Sequence, residues 1–320
     1  MMNRRNCVAL LAAAPFATLA ESAWPKGTVT VVVPLAAGDG GDTTARVMCA
    51  ELSHDLGVPV VVSNRPGAGG ALGVQQVIGA KKDGYTLLFT QNSPLTVRRV
   101  LEPTAASYDP LRELEPLAIT TRTPSVLVVR QDAPFNSFRD LVAYAKKHPH
   151  GVRIGNAGPG SAGDLSVQVV NAQIGMELPS IPYKGAAPAV TDLIGGQVEA
   201  AIVALGAVSS HLNSGTLAAL AISHPFPKLP TVTTLTRLGY RQDLLGVWFA
   251  WLAPSGVPPE VTRALLPALQ KAARSAELAA RLLPLGIAQD WVPGNKLASE
   301  ISDEFATVTD LTKRMQRRKS

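Results

Sequence analysis

The sequence predicts an α/β fold in which two α/β units enclose a ligand cleft, and three observations carry that prediction. Apolar, β-branched runs alternate with segments of helical spacing over most of the 320 residues, which is the pattern of sheets covered by helices. A strand that runs through a glycine-rich turn into a helix occurs twice, near residue 38 and near residue 160. No low-complexity linker separates the halves, so the chain is expected to cross between units more than once. Two such turns, one per half, are expected to face each other across a cleft that closes on its ligand.

In the first half, Val29–Val33 reads as a strand and Thr43–Leu56 as a helix that stops before Gly57. Val58–Val62 is a second strand, followed by the turn-rich Asn64–Gly70. A helix covers about Ala71–Ala80, and the Asp83–Gly84 turn introduces a strand at Thr86–Thr90. Ser125–Val129 opens a new region as a strand. Ser137–Lys147 follows with helical spacing of Phe138, Leu141, Val142 and Ala145. Val152–Gly155 is a short strand before the second glycine-rich turn, and a helix runs from Leu165 to Ile174. Strands are expected at Ala200–Leu205 and Ala218–Ser223, and helices at Pro259–Ser275 and Leu297–Met315. The alternation argues for largely parallel sheets. Trp248, Phe249 and Trp251 read as packed core near the return crossing.

Composition and ends exclude several classes. Met1–Ala23 carries Arg4 and Arg5, then an apolar run from Cys7 to Ala20 too short to anchor in a bilayer, and small residues for cleavage. This reads as a cleaved export signal and a periplasmic destination. Cys49 is then the one remaining cysteine, expected to be a buried inert thiol, and stability must rest on a large core. The net charge of +6 lacks aromatic interleaving, which argues against nucleic acid, and Arg317–Lys319 makes the C-terminus basic. The five histidines show no metal-ligand spacing, and no serine sits in a nucleophile elbow. No cofactor or metal is expected.

The site is expected at the two turns. Leu35, Ala36, Gly38, Asp39, Gly40, Gly41 and Asp42 form the first, where missing Cβ atoms let the backbone approach a ligand and free N–H groups meet at a helix start. No Gly-Lys-Ser/Thr closes this turn, and it does not fit the dinucleotide fingerprint. Asn156, Gly158, Gly160, Ser161 and Asp164 form the second turn. Asn156 and Ser161 read as either ligand contacts or helix caps, and Asp42 equally as cap or contact. Asn92 and Ser93 follow a strand and are placed at the cleft edge of the sheet. Tyr183 and Lys184 lie beyond the strand-like Pro179–Pro182, with Lys184 facing either the cleft or solvent. Arg65 is given a structural or interdomain role.

These segments resemble the exported solute receptors of tripartite tricarboxylate transporters, the Bug/TctC family. The resemblance is carried by Trp24–Pro25, Pro34–Arg46, Val60–Gly70, Asp83–Leu88, Tyr108–Pro110, Gly158–Leu165, Pro182–Gln197 and Trp251–Gly256, in order over the whole mature chain. It implies a type II periplasmic-binding-protein fold with two crossing segments, divided as 24–122 plus 249–320 and 123–248. It further implies a small carboxylate held by backbone N–H groups and short hydroxyls of both turns. Membrane transporter subunits or a sensor would receive the ligand, and the protein is expected to act as a monomer.

The chain departs from the family pattern at Asp39, where a glycine is usual, at Gly41 in place of threonine, and at Asp164 in place of histidine. Val203–Ala204 replaces a frequent Asp-Asn, so Ala204 stands where a polar contact would. The two added carboxylates bring negative character to an anion site. Asp39 then points to solvent or meets a donor on the ligand. A receptor acting only in signalling, and an enzyme using Asp39, Asp42 or Asp164 as acid or base, are the alternative readings.

Overall fold

The structure, a computed structural model, describes residues 24–149 and 151–319. The export signal expected over Met1–Ala23 lies outside the described residues, as do His150 and the side chains of Arg317–Lys319.

The chain first lays down β1 (Val29–Val33), α1 (Gly40–Leu56), β2 (Val60–Asn64), α2 (Ala71–Ile78) and β3 (Thr86–Gln91). Three short helices follow, α3 (Asn92–Leu95), α4 (Val97–Leu101) and α5 (Pro110–Glu113), before the long β4 (Leu114–Thr123). A middle segment supplies β5 (Ser125–Arg130), α6 (Phe138–Lys147), β6 (Ile154–Asn156), α7 (Ala162–Ile174) and β7 (Ser180–Pro182). It continues with α8 (Ala186–Ile194), β8 (Ala200–Ala204), α9 (Ser209–Asn213) and β9 (Leu217–Ile222). The return segment is β10 (Val247–Pro254), α10 (Pro259–Ala273), α11 (Ala276–Leu282), β11 (Ala288–Pro293) and α12 (Gly294–Lys319).

Two mixed sheets result, ordered β11-β4-β10-β3-β1-β2 and β7-β6-β8-β5-β9. Read in matching directions, each runs from an edge strand through a central strand that feeds a glycine-rich turn, then a second parallel strand, then an antiparallel one. The expectation of largely parallel sheets is corrected. β10 pairs antiparallel with β3 and β4, and β5 pairs antiparallel with β8 and β9. The physical reason is that a strand buried on both faces reads as an apolar run whichever way it points.

Both glycine-rich turns end earlier than expected. Asp39, at φ −64° and ψ 155°, caps α1 by accepting the Gly41 N–H, so the helix starts at Gly40 rather than Thr43. Ser161, at φ −69° and ψ 158°, caps α7 the same way through the Asp164 N–H, so that helix starts at Ala162 rather than Leu165. The capping oxygens satisfy orphan helix donors and outweigh the low helix propensity of glycine. Both helices end in left-handed glycines, Gly57 at φ 68° and Gly175 at φ 67°.

The first core joins β1 (Val29, Val31 and Val33 fully buried) to Met48 and Leu52 of α1 and to Leu265 and Leu269 of α10. Phe89 lies between Phe249, stacked at 5.8 Å, and Trp251 at 5.1 Å, within the expected aromatic core. The second core sets Leu127, Ile154 and Ile202 against Phe138, Leu141, Val167 and Val170. Among the described residues no helix is long and apolar enough to cross a membrane.

Candidate functional site

The first turn is a closed loop of hydrogen bonds. Gly38, at φ +87°, donates its N–H to Asp42 Oδ2 at 2.9 Å. Arg46 Nε donates to the same oxygen at 2.9 Å, and Asn64 Nδ2 donates to Asp42 Oδ1 at 2.8 Å. Burial alone would raise the pKa of Asp42, but the donors Arg46, Asn64 and Gly38 outweigh it and hold the carboxyl below its usual range. Asp42 therefore ties the turn together and does not act as the helix cap; that part falls to Asp39. Leu35 stands half-buried, and Ala36, Gly38 and Asp39 are exposed. A Cβ at Gly41 would run into Leu35 and Phe249, so glycine is required there by packing.

The second turn repeats the device with other residues. Gly160, at φ +71°, donates its N–H to Asp164 Oδ2 at 3.0 Å. Ser180 Oγ donates to Asp164 Oδ1 at 2.9 Å, and Asn156 Nδ2 donates to Ser180 Oγ at 2.8 Å. Asn156 Oδ1 accepts the Gly158 N–H at 2.9 Å, which closes the chain. Asp164 is thus a tether for its own turn, and its charge is met by the Gly160 N–H and the Ser180 hydroxyl rather than turned loose on the cleft. Asn156 is fully buried with its side chain committed to the turn, whereas Ser161 stays half-exposed.

Strand geometry decides what these turns meet. β1 and β3 are parallel neighbours, so the first turn and Asn92–Ser93 leave the same carboxyl edge of the first sheet. β6 and β8 are parallel neighbours, so the second turn and Ala204 share the carboxyl edge of the second. The two edges meet. A cavity of about 330 Å³ is lined by Gln91, Asn92, Ser93, Val97 and Arg98 from one side, by Ala157, Pro159–Ala162 and Leu165 from the other, and by Leu245–Val247 and Glu304. Elsewhere along the seam, Cβ atoms at Gly40 and Gly286 would stand 3.1 Å from Ile287 Cδ1 and 2.6 Å from the Gly206 nitrogen. The segment 283–287 therefore bridges the first turn and the loop after β8.

The structure brings Asn92, Ser93, Gly160 and Ser161 together in one cavity. Leu35, Ala36, Gly38–Asp42, Asn156, Gly158, Asp164 and Ala204 do not line it, so the cavity faces the second turn towards Asn92, Ser93 and Arg98 rather than towards the first turn. Tyr183 is half-buried and donates its hydroxyl to Asp192 Oδ2 at 2.7 Å, and Lys184 is exposed. Neither lines the cavity.

Sequence reasoning passed over Arg98, Ser180, Gly246 and Glu304. Arg98 pairs with Glu102 one turn along α4. Glu304 accepts Asn92 Nδ2 at 2.8 Å and Thr96 Oγ1 at 2.7 Å on Oε1, and Trp248 Nε1 at 2.8 Å on Oε2. Burial pushes its pKa up against those three donors, and Glu300 adds to the rise. A signal for Glu304 exists in the sequence. It interrupts the apolar stripe of α12 between the buried Leu297, Ile301, Val308 and Leu311, where an acid needs partners.

Residues 44–315 match the family described as tripartite tricarboxylate transporter family receptor. The chain is 37% identical over 248 residues to the protein BugT of Bordetella pertussis, covering 77% of this chain and 76% of that one. Among solved structures it is similar to a TctC solute-binding protein from Polaromonas without ligand, at a TM-score of 0.84 and 27% identity, covering 91% and 99% of the two chains. It is also similar to a Rhodopseudomonas palustris protein solved with adipate, at a TM-score of 0.71 and 29% identity, covering 91% and 97%.

Proposed function

The chain belongs to the tripartite tricarboxylate transporter receptor family, and from that premise we propose that it captures a small organic acid in the cleft between its two α/β units. The units are 24–122 with 249–320, and 123–248. The single observation that carries this reading is the cavity where the capped start of α7, at Gly160 and Ser161, meets Asn92, Ser93 and Arg98 across the seam. A helix start offers backbone donors and a positive dipole end, which suit a carboxylate, and the Arg98 guanidinium, paired with Glu102, stands in the same wall. The adipate held by the Rhodopseudomonas relative supports the same ligand class.

The protein works in the periplasm as a monomer, and hands the acid to membrane subunits of a tripartite transporter. The carboxylates of Asp42 and Asp164 are engaged by their own turns, which favours capture over acid–base chemistry. The test is a thermal-shift screen of ligand-stripped protein against carboxylates, their amides and amino acids. A ligand of the folded state raises the melting temperature by mass action. Stabilisation by a set of small carboxylates is the expected result, and stabilisation by none of them overturns the proposal.

A further inference from the structure

Asn92 lines the cavity with both of its side-chain donors already engaged by the protein. The residue is 5% exposed and stands in the cavity wall. One amide hydrogen goes to the Gly246 carbonyl at 3.1 Å, on the segment that returns the chain between sheets, and the other goes to Glu304 Oε1 at 2.8 Å. Both Nδ2 donors are thereby spent, because an amide nitrogen carries two. Oδ1 takes no hydrogen bond from the protein among the described residues. Glu304 and the Gly246 carbonyl fix this orientation together, since both accept and a reversed amide would set acceptors face to face. Thr96 and Trp248 hold Glu304 in place on both oxygens.

We propose that Asn92 selects acids that carry a hydrogen-bond donor, a hydroxyl, amino or amide group, over the same acids without one, and that Glu304 is the positioning residue that sets this preference. The inference rests on the carboxylate-capture reading above and adds the ligand's second functional group. A buried acceptor left unpaired on binding loses its water without replacement, so the unsubstituted acid binds about tenfold or more weakly.

The test is calorimetric titration of the ligand-stripped full chain with matched probes: succinate and glutarate, then their 2-hydroxy, 2-amino and monoamide derivatives. The expected result is that at least one donor-bearing derivative binds tenfold or more tightly than its parent acid. Asn92→Leu should bring that ratio close to one. Glu304→Gln, which removes the anionic acceptor while the Gly246 carbonyl still holds Asn92 Nδ2, loosens the amide and should lower the ratio, whatever it does to the affinity for the parent acids. A merely structural role would weaken all probes alike and keep the ratio. Parent acids binding as tightly as their derivatives, or a ratio unchanged in both variants, overturns the inference and leaves acid capture standing. Binding of no probe at all overturns both.

Discussion

The Asp164 carboxylate accepts the backbone N–H of Gly160 at 3.0 Å, four residues back. Asp42 does the same to Gly38 at 2.9 Å, at the same offset. The two glycine-rich turns are thus held by one device at equivalent positions of two equivalent sheets. An aspartate in the first helical turn reaches back over the cap and fixes a left-handed glycine. The carboxylates that look like hindrances to an anion site are what give the turns their shape.

Asp164→Ala removes that tether and leaves the Gly160 N–H and the Ser180 hydroxyl without their acceptor. The expected cost is about 1–3 kcal/mol of folding stability, the range for a lost hydrogen bond with an unsatisfied partner. Urea unfolding measures it, and affinity for the captured acid should fall with it. Asp164→Asn, which keeps an acceptor for one donor, should cost less.

Gly160→Val should damage binding far more than folding. Gly160 holds φ +71°, and a Cβ there would stand 2.6 Å from Leu101 Cδ1 across the seam. The strain of a β-branched residue in this region is on the order of 1–3 kcal/mol, small against a core of this size. Calorimetric affinity loss of tenfold or more beside a modest drop in melting temperature is the expected pair of results.

Two buried carboxylates should act on stability with opposite slopes. The pKa of Glu304 is raised in the folded state, so folding favours its protonated form, and its contribution is lost as pH rises above about 4.5. Glu304→Gln should flatten that decline. The pKa of Asp42 is lowered in the folded state, so its contribution is present above 3.8 and lost as pH falls below it. Asp42→Asn should flatten the acid limb. Urea midpoints measured across the acid range read both effects.

Cys49 is buried in the first core, and burial pushes its thiol pKa up to about 12. The Cys49 thiol of the folded protein should therefore resist a thiol reagent at pH 8. Labelling at Cys49, located by peptide mass, should appear only when urea unfolds the first sheet, so its midpoint reports that unit's stability.

Much of the fold was legible because the signals were local. The apolar β-branched run Val29–Val33 marks β1 to the residue, and Ser137 sits one residue before α6 as its cap. The Bug/TctC resemblance and the α/β class rested on segments of this kind. β4 and β10 were missed because strands covered on both faces carry no alternation to announce them, and their direction is set by where the chain crosses between sheets. The helices α1 and α7 start three residues earlier than the sequence suggests because their caps, Asp39 and Ser161, stand inside the glycine-rich turns.

The sequence by itself determined the two turns, their caps and the class of fold, since each depends on residues within a few positions of one another. Only the tertiary structure decided which groups line the cavity. Asn92 meets Glu304 across 212 residues and Gly246 across 154. Such partners are chosen by how the second sheet docks against the first and where α12 returns, and no local propensity encodes that choice. The orientation of the Asn92 amide, and with it the group a ligand must offer, exists only once those distant acceptors have been brought to the same wall.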